Sequence, residues 1–80
     1  MAIQKITHGQ WTDLDVTEGS TYAIQSVIGT DTFRFTTENS PSSPLDGISV
    51  SGMTDLKIKA GSNNKVYADR DIDLSVQEVV

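Results

Sequence analysis

The sequence predicts an all-β protein, a small antiparallel β-sandwich or barrel of about seven to eight short strands with no substantial helix. Three observations carry that reading. Apolar residues recur at every second position in one short run after another, the period of a strand with one buried and one wet face. Clusters of Gly, Pro, Asn and Asp separate those runs at close spacing. Nowhere do apolar residues follow the i, i+3, i+4, i+7 spacing of a helix, and Ser and Thr fill polar positions that a helix gives to Ala, Leu, Glu and Lys.

Residues 3–7 form a short apolar-polar run that could form a first strand, with an odd step from Ile3 to Ile6 that a bulge or an irregular start could accommodate. His8-Gly9-Gln10 is a connection, and Trp11 is the largest single apolar surface in the chain. Leu14 and Val16 alternate with Asp13, Asp15 and Thr17, which predicts a brief exposed strand before the turn at Glu18-Gly19-Ser20. Residues 21–28 are β-branched and aromatic, with Tyr22 and Ile24 on one face, and read as a central strand. A turn at Gly29-Thr30-Asp31 leads to residues 32–37, where Phe33 and Phe35 share a face; a hairpin joining these two strands is expected to gather most of the aromatic mass.

Residues 38–47, ENSPSSPLDG, form a long Pro-rich surface loop, because neither Pro41 nor Pro44 can donate to a ladder. Ile48 and Val50 then alternate with Ser49 and Ser51 in a strand that returns to the core. Leu56, Ile58 and Ala60 lie opposite Lys57 and Lys59, and Ala-Gly-Ser-Asn-Asn after them permits a reversal, so a hairpin to Val66-Tyr67-Ala68 is expected. Ile72, Leu74 and Val76 alternate with Asp71, Asp73, Ser75 and Gln77 in the closing strand. The face expected to be buried is Leu56, Ile58, Val66, Ala68, Ile72, Leu74 and Val76; the opposite phase would bury Tyr67 in place of Val66 and Ala68.

Composition narrows the function classes. The 80 residues make one β domain, residues 1–80, in the size range where a single core is marginal, so a homo-oligomer is expected. The absence of cysteine removes disulfides and thiolate metal sites. Six Lys and Arg against eleven Asp and Glu give a net charge of −5, which repels a phosphate backbone and argues against nucleic acid as a partner. The first twelve residues hold no long apolar core, and no stretch is apolar enough to span a bilayer, so synthesis in a cytoplasm and no membrane partner are expected.

Candidate chemistry is sparse. Asp69, Asp71 and Asp73 sit at alternate positions like the start of a calcium loop, but Leu74 and Val80 stand where that loop needs Gly and Glu. Strand phase explains Asp71 and Asp73 as the wet side opposite Ile72 and Leu74. His8 is the single histidine, and no Gly-x-Ser-x-Gly elbow is present, so neither catalysis nor a cofactor or metal is expected. Trp11, Tyr22 and Tyr67 present two readings, an aromatic platform for a sugar or ordinary packing. Trp11, flanked by Gln10, Thr12 and Asp13, is the best of the three for a surface role, as an anchor in a protein interface.

The second half of the chain carries a resemblance. Ser-Pro-x-x-Pro-Leu-Asp-Gly-Ile over residues 40–48, Leu-Lys-Ile-Lys-Ala-Gly over 56–61, Lys-Val-Tyr-Ala over 65–68 and Ile-Asp-Leu-Ser-Val-Gln-Glu over 72–78 form a cadence that resembles the small β-sandwich structural proteins of tailed bacteriophages. The resemblance implies a binding role in the virion: a capsid decoration or cement protein, or a small tail or fibre component. It implies as partners the major capsid protein or another virion protein, with a homotrimer the favoured assembly. The Pro-rich loop, with Pro41, Pro44 and Leu45, is the first expected interface, because restricted backbone loses less entropy on docking. An arm over residues 1–11, with Ile3 and Trp11, is the second, because an extended segment can add a strand to a neighbour's sheet. A carbohydrate- or receptor-binding module and an acidic inhibitor of a host enzyme stand as competing classes.

Overall fold

The computed structural model describes residues 2–28, 31–43, 45–51 and 54–79. Eight strands follow one another: β1 (Ala2–Ile6), β2 (Thr12–Asp13), β3 (Thr21–Ser26), β4 (Thr32–Thr36), β5 (Ile48–Ser51), β6 (Leu56–Lys59), β7 (Lys65–Tyr67) and β8 (Ile72–Glu78). They form two four-stranded antiparallel sheets, ordered β1-β8-β3-β6 and β2-β7-β4-β5. The short axis of 17 Å suits two layers about 10 Å apart. The expected all-β fold is therefore a sandwich, with no helix among the described residues.

The period-two reading places the core. Ile6, Tyr22, Ile24, Phe33, Phe35, Val50, Val66, Ala68, Ile72, Leu74 and Val76 are buried. Every one of them lies on a strand or within one residue of a strand end. Val66 and Ala68 go inward and Tyr67 stays half-buried, which resolves the phase of β7. Leu56 and Ile58 pack against the core only in part, because β6 is the last strand of its sheet. Leu14 is buried too, although the strand expected around it stops at Asp13. Its backbone N–H donates to the Asn64 carbonyl at 2.8 Å, which draws the segment inward.

Both expected hairpins are corrected. β3 belongs to the first sheet and β4 to the second, so Tyr22 and Ile24 meet Phe33 and Phe35 across the core and not within one sheet. β6 and β7 likewise fall in different sheets, β6 pairing with β3 and β7 with β4 and β2. The physical reason is that a turn signal reverses the chain without specifying whether the next strand hydrogen-bonds to the last or packs on top of it. Only β4 and β5 are neighbours in both sequence and sheet.

The segment expected as an arm over residues 1–11 is, from Ala2 to Ile6, an edge strand of the chain's own sheet, with Ile3 opposite Ser75 and Ile6 opposite Ile72. Gln4 fastens that edge to the other sheet. Its side-chain amide donates to the Asp13 carbonyl and its side-chain carbonyl accepts from the Asp15 N–H, both at 2.9 Å. β1 therefore lies over β2, and by the two strand orders β6 lies on the side of β5.

The turn between β6 and β7 is built by one side chain. Buried Asn64 accepts from the Gly61 N–H at 3.0 Å and donates to the Gly61 carbonyl at 2.9 Å, so one side chain ties both ends of the turn together. Asn64→Ala is expected to lower stability by about 1–3 kcal/mol, the cost of leaving partly buried backbone groups without partners. Thermal melting followed by circular dichroism reads this directly, and an unchanged midpoint would show that the turn closes without the amide.

Candidate interaction surface

The Pro-rich loop is folded on a carboxylate and a tryptophan. Asp46 Oδ2 accepts from the N–H groups of Ser42 and Ser43 at 2.9 and 3.0 Å and from the Ser42 hydroxyl at 3.2 Å. Ser43 Oγ accepts from the Leu45 N–H at 3.1 Å, and the Ser43 carbonyl accepts from the Asp46 N–H at 3.1 Å. Trp11 donates through Nε1 to the same carbonyl at 3.2 Å. The indole is half-buried. One of its faces meets Tyr67, with ring centroids 5.5 Å apart at 54°, and its far edge lies over Gly47. Trp11 thus holds the loop down as well as contributing surface.

The five residues expected at an interface are placed separately. Trp11 and Pro41 come together, lining a hollow of about 210 Å³ with Gly9, Gln10, Ser42, Ser43 and Tyr67. Leu45 lines a different hollow and is 73 % exposed. Ile3 is 52 % exposed on β1, the far edge of the other sheet, so it joins neither group. Pro44 lies outside the described residues. Tyr22 leaves the proposed aromatic trio altogether: it is buried, and its hydroxyl accepts from the Thr17 N–H at 2.8 Å.

Three exposed apolar residues escaped the sequence reading, Ile48, Val27 and Ile28. Ile48 has the phase of a core residue, pairing across β4–β5 with Phe35, yet it is 58 % exposed. Strand order explains this, since β5 ends its sheet and at Ile48 the sandwich opens to the side. Ile48 and Leu45 flank a hollow of about 480 Å³ with Phe35, Thr36, Thr37, Glu38, Asp46 and Gly47. A second apolar pair, Val27 and Ile28, is exposed just after β3, where the break in alternation was the available signal.

Of the aspartates at the start of β8, Asp71 has a partner across the fold. Asp71 accepts at Oδ1 from the His8 backbone N–H at 3.0 Å and lies 2.6 Å from His8 Nδ1, joining the β1–β2 connection to the β7–β8 turn. Among the described residues no three His, Cys, Asp or Glu side chains converge as metal ligands. The His8 backbone N–H first, and the imidazole second, hold the Asp71 carboxyl below the usual carboxylate range. A carboxyl depressed by folding stabilises above its unfolded pKa, and that contribution is lost as pH falls through the folded value. In a carbon-13 NMR titration, Asp71 is expected to ionise below the usual carboxylate range, and His8→Ala to leave part of the depression in place because the backbone donor survives. A carboxyl returning fully to its ordinary value in His8→Ala would assign the effect to the ring.

No family model matches the chain, and no curated protein or solved structure matches it either.

Proposed function

We propose that this chain is an accessory structural protein of a tailed-phage virion, a capsid decoration protein that binds the capsid lattice and acts by binding, not catalysis. The observation that carries the proposal is the exposed apolar pair Leu45 and Ile48, presented from the edge of a cysteine-free sandwich beside a loop whose described residues are hydrogen-bonded to Asp46 and Trp11. Large apolar side chains kept in water on a hydrogen-bonded frame favour docking to a fixed partner, since little order remains to be lost on contact. The cadence of residues 40–78 supports the choice of a virion as that setting. The partner is the major capsid protein or another virion protein, and the protein works as a homotrimer. Co-sedimentation with purified phage heads, alongside size-exclusion chromatography with light scattering, tests both parts. Saturable binding to heads and a trimeric mass are expected; a strict monomer never recovered with virions would overturn the proposal.

A second reading, a carbohydrate- or receptor-binding module of a tail or fibre, draws support from the Trp11–Tyr67 pair. Ring faces beside the polar groups of Gln10 and Ser42 suit the apolar face and hydroxyl rim of a sugar. Glycan-array binding abolished by Tyr67→Ala would favour this reading, and a blank array would remove it. Tyr67 is the better test position because Trp11→Ala would also release the loop.

A further inference from the structure

A two-sheet sandwich has four edges, and three of them are defended against strand addition. β1 carries Lys5, β6 carries exposed Lys57 and Lys59, and β2 is only two residues long, with Asp13 engaged by Lys65. Charged and very short edges are the ordinary guards against pairing with another chain. β5 has neither: Ile48, Ser49 and Val50 bring no charge and no proline, and the strand ends its sheet beyond β4. Beside it lies the hollow between Phe35, Leu45 and Ile48, which has Glu38 and Asp46 in its lining and no lysine or arginine.

We propose that the β5 edge and the hollow beside it take up an extended segment of a partner protein in which apolar and basic residues alternate. Main-chain bonds to β5 supply the pairing, an apolar side chain enters between Leu45 and Ile48, and a Lys or Arg of the segment faces Glu38 and Asp46. Charge decides against a second copy of this chain as the occupant. Self-pairing through β5 would bring the Glu38 and Asp46 linings of two copies towards each other with no basic side chain between them, and would set the Lys57 and Lys59 edges side by side. Identifying the segment as part of a lattice protein rests on the function proposed above; its chemistry does not.

The test is an amide chemical-shift titration of the full chain with a synthetic capped hexapeptide, Lys-Val-Lys-Ile-Lys-Val, and with its counterpart in which Glu replaces Lys. The basic peptide is expected to shift the amides of Ile48, Ser49 and Val50 together with those around Phe35 and Leu45, and the acidic one to bind at least about tenfold more weakly. Ile48→Ser and Glu38→Lys are each expected to weaken the basic peptide by about tenfold, the effect of losing one anchoring contact. Both positions are exposed, and the dispersion of the amide spectrum confirms that each variant is folded. Shifts centred on Trp11 and Tyr67, equal binding of the acidic peptide, or no binding would overturn the proposal. So would the same β5 shifts appearing with protein concentration alone, which would assign the edge to a second copy. Binding to phage heads without binding to the peptide overturns this inference only, and the reverse outcome overturns the virion role only.

Discussion

Phe33→Ala is expected to leave the protein at the limit of folding. Phe33 is 2 % exposed and is the largest of the fully buried side chains. It sits on β4, between β7 and β5, and faces the first sheet across the core. Truncating a buried phenylalanine costs about 3–5 kcal/mol, from lost transfer energy and from the cavity left behind. A chain of 80 residues holds roughly 4–12 kcal/mol in total, at about 0.05–0.15 kcal/mol per residue. The substitution therefore removes about a quarter of the stability at the least and all of it where the total is lowest. Urea unfolding followed by Trp11 fluorescence should show a large fall in midpoint with little change in slope. Ile48→Ala, at a position 58 % exposed, should move the midpoint by no more than about 0.5 kcal/mol equivalent. Similar losses at the two positions would contradict the assignment of Phe33 to the core and Ile48 to the surface.

Gly47→Ala is the second large effect. A Cβ at this position would stand 2.7 Å from the Phe35 carbonyl oxygen and 2.8 Å from Trp11 Cη2. The first is backbone in a paired strand and the second is the rim of a rigid indole held by Tyr67 and the Ser43 carbonyl, so neither yields easily. Overpacking of this kind costs about 1–3 kcal/mol. At about 4–8 °C per kcal/mol for a domain of this size, the melting temperature should fall by roughly 4–24 °C. Trp11 emission should shift to the red as the indole is pushed towards water. In a Trp11→Leu background the same substitution should cost less, but not nothing, because the clash with the Phe35 carbonyl persists. An unchanged melting temperature in Gly47→Ala would mean that the loop can lift off Trp11 freely.

What the sequence disclosed and what it withheld divide along one physical line. Period-two alternation is a property of each strand by itself, and it correctly oriented Tyr22 and Ile24, Phe33 and Phe35, Val66 and Ala68, and Ile72 to Val76. Strand pairing is a property of two strands at a distance, and local turn chemistry did not encode it. The Gly61 to Asn64 turn reads like a hairpin, yet Asn64 closes it onto itself and sends β7 to the opposite sheet. Trp11 looked exposed because its sequence neighbours are polar, whereas the residues that cover it, Ser43 and Gly47, lie more than thirty positions away. Ile48 failed in the reverse sense: its phase is that of a core residue, and only its place at the end of a sheet exposes it.

The strand order also sets a timetable. β8 lies between β1 and β3, so it supplies both of them with hydrogen-bonding neighbours, although it is the last of the eight to be synthesised. While the ribosome is still making β7, β1 has no neighbour to pair with and β3 has only β6. The apolar faces of Ile6 and Ile24 therefore wait in water for their β8 partners Ile72 and Val76 to emerge. Because so much of the fold joins residues far apart in sequence, the first sheet cannot complete its pairing from the N-terminus onward and has to wait for β8.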